Sequence, residues 1–338
     1  MSPLVTSVRA IGPGGSKDRH AALSIALLAA AALGYLAALE MAARVLFPVH
    51  SAIAARIRSD WSTALRLGVS PPHDRRNFLV VGNSLLQAGI DRKELRALQQ
   101  RSTLTIAVMP IENTDYLDWY FGVQRLLAQG SKPEFVVLCL VPVQLISHST
   151  NGEVFARTLM RPVDILRVKQ AAGLDWTTTT TYLMASASAW MGYSAEIRNW
   201  IRVETLPGMA ELATYFWQRA PANPRADVLK EIAARRLAQF SAVCADYGCK
   251  AVVVIPPLVR DRGDGSLAAL TRAGRATGVP VLIPVAPGQL GQSYFKDGFH
   301  LNQRGAEIFT PRLLEALKKI PDDGLTVPAR GHGDPRLR

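Results

Sequence analysis

Five short apolar runs, at residues 77–82, 103–108, 135–141, 250–255 and 279–283, alternate with helical patterns along the chain. Each run is apolar at consecutive positions rather than at every second one. A strand of that kind must be covered on both faces. The helical patterns fall at 92–99, 116–129, 226–247, 267–277 and 303–319, so strand and helix take turns. That alternation predicts an α/β fold with a parallel sheet between two helical layers. Gly248, after Asp246-Tyr247, is the expected helix stop before the fourth strand.

Between the third and fourth strands, residues 146–225 break the rhythm and read as a helical insertion over the sheet. It carries Trp176, Trp190, Trp200 and Trp217, a threonine run at 177–181, and the basic pair Arg198 and Arg202. The tryptophans are expected to pack between the insertion's helices. The basic pair is expected on a solvated face.

The N-terminus adds a different constraint. Residues 1–20 carry Arg9, Lys17 and Arg19 against Asp18, and residues 21–39 carry no charge at all before Glu40 and Arg44. Nineteen helical residues rise roughly 28 Å, close to the hydrocarbon thickness of a bilayer. A cleaved signal peptide has an apolar core of about 7–15 residues, so an uncleaved single-pass anchor is the preferred reading. The small residues Ala42 and Ala43 leave cleavage open. Positive-inside bias puts 1–20 in the cytoplasm and the rest outside, in the periplasm if this is a bacterial inner membrane. The expected organisation is a cytoplasmic tail at 1–20, the anchor at 21–39 and a juxtamembrane helix and linker at 40–75. An α/β domain follows at 76–320, and then a disordered tail at 321–338.

The net charge of +12, from 39 Lys and Arg against 27 Asp and Glu, suits an anionic partner without choosing one, and an exported location disfavours nucleic acid. No Gly-rich phosphate loop and no metal-ligand cluster occurs, so no cofactor and no metal are expected. In an oxidising compartment Cys244 and Cys249, five apart, can pair or stay reduced, and Cys139 reads as an inert core thiol.

Two segments carry chemistry. In Phe78-Leu79-Val80-Val81-Gly82-Asn83-Ser84 a strand stops at a glycine and presents a serine at its C-terminal edge, where open α/β sheets bind ligands. A serine there can act as a nucleophile or simply cap the next helix. In Asp297-Gly298-Phe299-His300-Leu301-Asn302 an Asp and a His stand three apart before the last helix. The carboxylate can hold the imidazole in the tautomer that leaves its other nitrogen free as a base. An Asp-x-x-His can equally serve as a helix cap.

Taken together, the Ser84 segment and Asp297-x-x-His300-Leu301-Asn302-x-x-Gly305 resemble the SGNH/GDSL hydrolase superfamily over roughly residues 76–319. The resemblance implies a flavodoxin-like three-layer α/β/α sandwich with a five-stranded parallel sheet. It also implies Ser84 as nucleophile, His300 as general base and Asp297 as orienting carboxylate. Asn83 stands where the family commonly has Asp, and Val252-Val253-Val254-Ile255-Pro256-Pro257 resembles the family's penultimate strand. The family's oxyanion glycine and asparagine are missing: Met109-Pro110-Ile111-Glu112-Asn113-Thr114 and Val141-Pro142-Val143-Gln144 stand there instead. Asn113 or Gln144 can offer an amide donor in their place.

An anchor followed by Gly82-x-Ser84 and Gly89-Ile90-Asp91 further resembles the membrane-anchored branch that acylates cell-surface polymers. That branch includes the alginate and cellulose O-acetylation factors and the D-alanine transfer protein. It implies an acyltransferase acting on an exported polysaccharide, with a separate polytopic membrane acyltransferase as acyl donor. Two alternatives stay open: an esterase of the same fold, and a non-catalytic scaffold of a polysaccharide modification complex.

Overall fold

The computed structural model describes residues 16–68, 75–198, 225–260 and 263–321. Five strands form one parallel sheet: β1 (Arg76–Gly82), β2 (Leu104–Pro110), β3 (Phe135–Cys139), β4 (Lys250–Val254) and β5 (Val281–Leu282). Their order is β2-β1-β3-β4-β5 and every pairing is parallel. This 2-1-3-4-5 order is the flavodoxin-like one, and the fold is α/β as the alternation predicts.

Alternate residues of each strand feed opposite faces. Leu79 and Val81 join a core with Trp119, Phe121, Leu237 and Phe240, whereas Phe78 and Val80 join a core with Leu86, Phe309 and Leu313. The first core is roofed by α3 (Ala52–Leu65), α6 (Tyr116–Ala128), α12 (Ala226–Asp246) and α13 (Ser266–Thr277). The second is roofed by α4 (Ser84–Gly89), α5 (Arg92–Gln100) and α14 (Gln303–Lys318). Both faces being covered is why the strands read as unbroken apolar runs.

Where strand ends differ from the sequence expectation, a local hydrogen bond explains it. β3 stops at Cys139 because the Val141 N–H turns to the Gln144 side chain at 3.1 Å. β5 starts at Val281 because the Val279 N–H closes the end of α13 on the Gly274 carbonyl.

α1 (Ser16–Val45) is the one helix among the described residues long and apolar enough to cross a membrane. A short α2 (Phe47–His50) links it to α3. Residues 52–67, read from sequence as part of a juxtamembrane helix and linker, carry Ile57, Ala64 and Leu67 into the first core. Ser131 Oγ donates to the Ala64 carbonyl and the Lys132 N–H to that of Leu67, tying this segment to the loop before β3.

The insertion is helical, with α7 (Pro142–Ile146) leading in. There follow α8 (Gly152–Thr158), α9 (Ile165–Ala172), α10 (Trp176–Ala187) and α11 (Ala189–Gly192). α8 buries Phe155 and Ala156 against α6, and the Arg125 guanidinium donates to the carbonyls of Arg157 and Met160. Trp176 and Trp190 differ from expectation: they are exposed rather than packed between helices. Arg198 is exposed as expected, whereas Trp200, Arg202, Trp217 and the tail beyond 321 lie outside the described residues. All three cysteines are buried thiols, so Cys244 and Cys249 are not bridged; the Cys249 thiol donates to the Cys244 carbonyl at 3.2 Å.

Candidate active site

Gly82 ends β1 between two neighbours, opposite Pro110 of β2 and Cys139 of β3. A Cβ on Gly82 would stand 2.6 Å from the Cys139 carbonyl oxygen, so no side chain fits where the chain leaves the sheet. Asn83 then caps α4: its side-chain oxygen accepts from the Leu85 N–H at 3.0 Å, and its amide donates to the Thr114 carbonyl at 3.1 Å. Ser84 is therefore not the cap. It is the first residue of α4 rather than part of a loose turn, and its hydroxyl is left for something else.

The second segment is a small hairpin. Phe295 and Leu301 form an antiparallel bridge, and the Lys296 N–H donates to the His300 carbonyl. Gly298 makes the reversal at φ 90°, a conformation that suits glycine. Within the tip, Asp297 Oδ1 accepts the N–H groups of His300 (2.8 Å) and Phe299 (3.3 Å). Asn302 caps α14 through the Gly305 N–H and donates to the Ser293 carbonyl, which anchors the hairpin's base.

The fold brings the two segments together, although they are 216 residues apart. His300 Nδ1 lies 2.6 Å from Asp297 Oδ2, and His300 Nε2 lies 2.9 Å from Ser84 Oγ. An ionised carboxylate only accepts, so Nδ1 carries the proton, Nε2 is the acceptor, and the serine hydroxyl donates to it. The imidazole is also held by the Phe299 ring, with centroids 4.3 Å apart. Burial pushes the Asp297 carboxyl up, but the hydrogen bonds from the His300 ring and from the His300 and Phe299 N–H groups outweigh it and hold it below the usual carboxylate value. The His300 and Asp297 side chains are 17% and 25% exposed, so the relay opens to solvent at one side.

Asn113 and Gln144 lie on the segments that leave β2 and β3, the two neighbours of β1 at this edge. Asn113 is exposed at φ 59°, a left-handed turn position that Asn tolerates. Gln144 spends its oxygen on the Val141 N–H. Among the described residues, neither side chain hydrogen-bonds Ser84 or His300. The Ser84 N–H, at the first position of α4, has no intrahelical acceptor and faces this edge.

Sequence reasoning missed what braces the site. The Arg56 guanidinium on α3 holds both Glu112 oxygens at 2.6 and 2.7 Å and the Pro110 carbonyl at 2.6 Å, and it reaches Gln87 of α4 at 3.3 Å. Asp60 accepts a bidentate pair from Arg92 at 2.7 and 2.8 Å. Basic and acidic positions on α3 look like a solvated face in sequence, and nothing in their spacing marks them as braces. Gly89-Ile90-Asp91 also has a structural account. Asp91 caps α5 through the Lys93 and Glu94 N–H groups, and its own N–H donates to Thr310 Oγ of α14.

Thr114 is the buried hub behind Asn83. Its hydroxyl donates to the Ile111 carbonyl at 2.7 Å and accepts the Trp119 indole N–H at 2.9 Å. Thr114→Val keeps the volume but strands the indole N–H and the Ile111 carbonyl away from water. A loss of about 1–3 kcal/mol is expected, read as a lower urea midpoint at unchanged slope.

No protein-family model matches the chain, and no curated protein matches it. Among solved structures, TesA matches at 15% identity and a TM-score of 0.36, over 71% of this chain and 97% of TesA. The lipase Lip_vut3 from a goat rumen metagenome matches at 9% identity and a TM-score of 0.33, with the same coverage of each chain. The fold class rests on the strand order and register given above.

Proposed function

We propose that the protein is a serine-dependent enzyme of acyl transfer in the SGNH manner, with Ser84 as nucleophile, His300 as general base and Asp297 as orienting carboxylate. One observation carries the reading. The continuous relay from Asp297 Oδ2 through the His300 ring to Ser84 Oγ runs at 2.6 and 2.9 Å, at the C-terminal edge of the central strand. A cap or a core hydrogen bond needs no such chain, because Asn83 already caps α4 and Asn302 already caps α14.

The chemistry balances in two halves. Ser84 Oγ attacks the acyl carbonyl while its proton passes to His300 Nε2, and the developing oxyanion faces the Ser84 N–H. The imidazolium, steadied by Asp297, returns the proton to the leaving alcohol, and the acyl group stays as an ester on Ser84. An acceptor hydroxyl then gives its proton to Nε2 and attacks that ester; the Ser84 Oγ–acyl bond breaks, and Nε2 returns the proton to Ser84 Oγ. Water as acceptor makes an esterase, and a sugar hydroxyl makes a transferase.

The finer reading takes the acceptor as an exported or cell-surface polysaccharide, reached from an anchor that leaves the domain on the periplasmic side. A separate polytopic membrane protein supplies the acyl group. It is supported by an apolar helix of spanning length ahead of the domain and by the resemblance of Gly82-x-Ser84 and Gly89-Ile90-Asp91 to the polymer-acylating branch. The test offers the purified full chain in detergent an activated acetyl ester, with and without acetyl-free glycan. Turnover that rises with glycan and leaves acetyl on it is expected. Equal release into water would reduce the reading to an esterase, and no turnover at all would remove the serine chemistry.

A further inference from the structure

We propose that the C-terminal half of α10 together with α11 forms a second membrane-contacting surface, seated in the interfacial zone of the lipid bilayer beside the anchor. The inference rests on the reading of α1 as a membrane span.

The first support is position. Glu40, the first charge after the uncharged run, is half-buried and turns its carboxylate toward the α10–α11 junction. Its carboxylate accepts from Ser188 Oγ at 2.7 Å, the Ala189 N–H at 2.8 Å, the Trp190 N–H at 3.0 Å and Arg44 at 2.5 Å. Arg44 also donates to the Ala187 carbonyl. These bonds fix the α10–α11 junction at the level where the span ends. They also leave the one carboxylate at that level neutralised and saturated, the condition for lying in a poorly hydrated layer.

The second support is continuity. Met41, Val45 and Val49 are 61%, 55% and 71% exposed just past the span, and Leu183, Met184 and Trp190 are 45%, 51% and 37% exposed beside them. Tyr193, just past α11, packs its ring against Phe47 in a tilted pair with centroids 4.6 Å apart, which joins the two sets into one surface. Trp at this level is the side chain favoured at membrane interfaces.

The third support is the polar groups of α10. Residues 176–195 contain no charged side chain. The hydroxyls of Thr180, Thr181 and Ser186 donate back to the carbonyls of Trp176, Thr177 and Leu183 at 2.7–3.0 Å. Back-bonded hydroxyls turn methyl and methylene groups outward and ask nothing of water, the way such residues sit in lipid. A water-facing helix carries charges on its outer face, and this one carries none.

Interfacial helices sink about 5–10 Å into the boundary between headgroups and acyl chains. The test reads that depth. Single-cysteine variants Leu183→Cys, Trp190→Cys, Leu28→Cys in the span and Lys93→Cys on α5 carry an environment-sensitive fluorophore, the native thiols being buried. Wild type, treated alike, gives the background. The full chain is reconstituted into phosphatidylethanolamine–phosphatidylglycerol vesicles with lipids spin-labelled near the headgroup or deep in the acyl chain. Positions 183 and 190 should shift to the blue and lose emission to the shallow label, position 28 to the deep label and position 93 to neither. If 28 is quenched while 183 and 190 behave like 93, the anchor stands and the proposal falls; a protein flank is then the alternative cover for this face. If 28 is unquenched as well, the span and the proposal fall together. Position 183 is already exposed and decides the matter should Trp190→Cys unfold α11.

Discussion

Replacing Ser84 by alanine should lower kcat by about 10⁴-fold or more while leaving the fold intact. The two effects separate because of who caps the helix. Asn83, not Ser84, accepts the Leu85 N–H, and among the described residues the side-chain partner of Ser84 Oγ is His300 Nε2. Removing one partly exposed hydroxyl from the first position of α4 should therefore change the unfolding free energy by less than about 0.5 kcal/mol. His300→Ala should be about as damaging to turnover, because a serine without its base is a poor nucleophile at neutral pH. The double variant should be little worse than either single one, since members of a relay act as a unit. In cells, Ser84→Ala should abolish acylation of the surface polymer at unchanged protein level. Full acylation in that strain would leave the scaffold reading in place of the enzyme.

Much of the fold was legible because burial on both sheet faces writes itself into consecutive apolar residues. Five such runs separated by helical patterns leave few architectures, and all five became strands of one parallel sheet. The edges blurred where side chains or helix ends compete for backbone groups, as at Val141 and Val279. The site was legible for another reason: a strand ending in Gly82-Asn83-Ser84 and a compact Asp297-x-x-His300 each carry local chemistry, and sequence order already puts both at strand or helix ends. Their meeting across 216 residues was implied by the family resemblance, not by either segment alone. What stayed illegible is long-range and polar. Arg56 on Glu112 and Arg92 on Asp60 pair charges from distant elements, Glu40 gathers a hydroxyl and two backbone N–H groups from the α10–α11 junction, and no spacing rule announces them. The exposure of Trp176 and Trp190 was misread for the same reason, because an aromatic residue looks alike in sequence whether it fills a core or faces outward.

Asp297→Asn should cost about 10⁴-fold in kcat with little change in KM, and the geometry says why. Asp297 Oδ1 is claimed by two backbone N–H groups, those of His300 and Phe299, while Oδ2 faces His300 Nδ1. In asparagine the one oxygen must stay with the two backbone donors, so the NH₂ is forced toward Nδ1. The ring then has to accept at Nδ1 and carry its proton on Nε2, the tautomer that cannot take a proton from Ser84. The variant should fold, with the hairpin kept by its backbone bonds, yet lose its base. The pH dependence separates this account from simple loosening of the loop. The folded Asp297 carboxyl lies below its usual value despite burial, because the His300 ring and the two N–H groups favour the ionised form. A carboxyl depressed on folding adds stability that is fully present above the unfolded value of about 3.9 and drains away as pH falls through the lower folded one. Wild type should therefore be more stable than Asp297→Asn at neutral pH, and the gap should close on acidification below about pH 4. Urea unfolding across that range measures it. A gap that persists unchanged into acid would mean that the carboxylate is not what holds the ring.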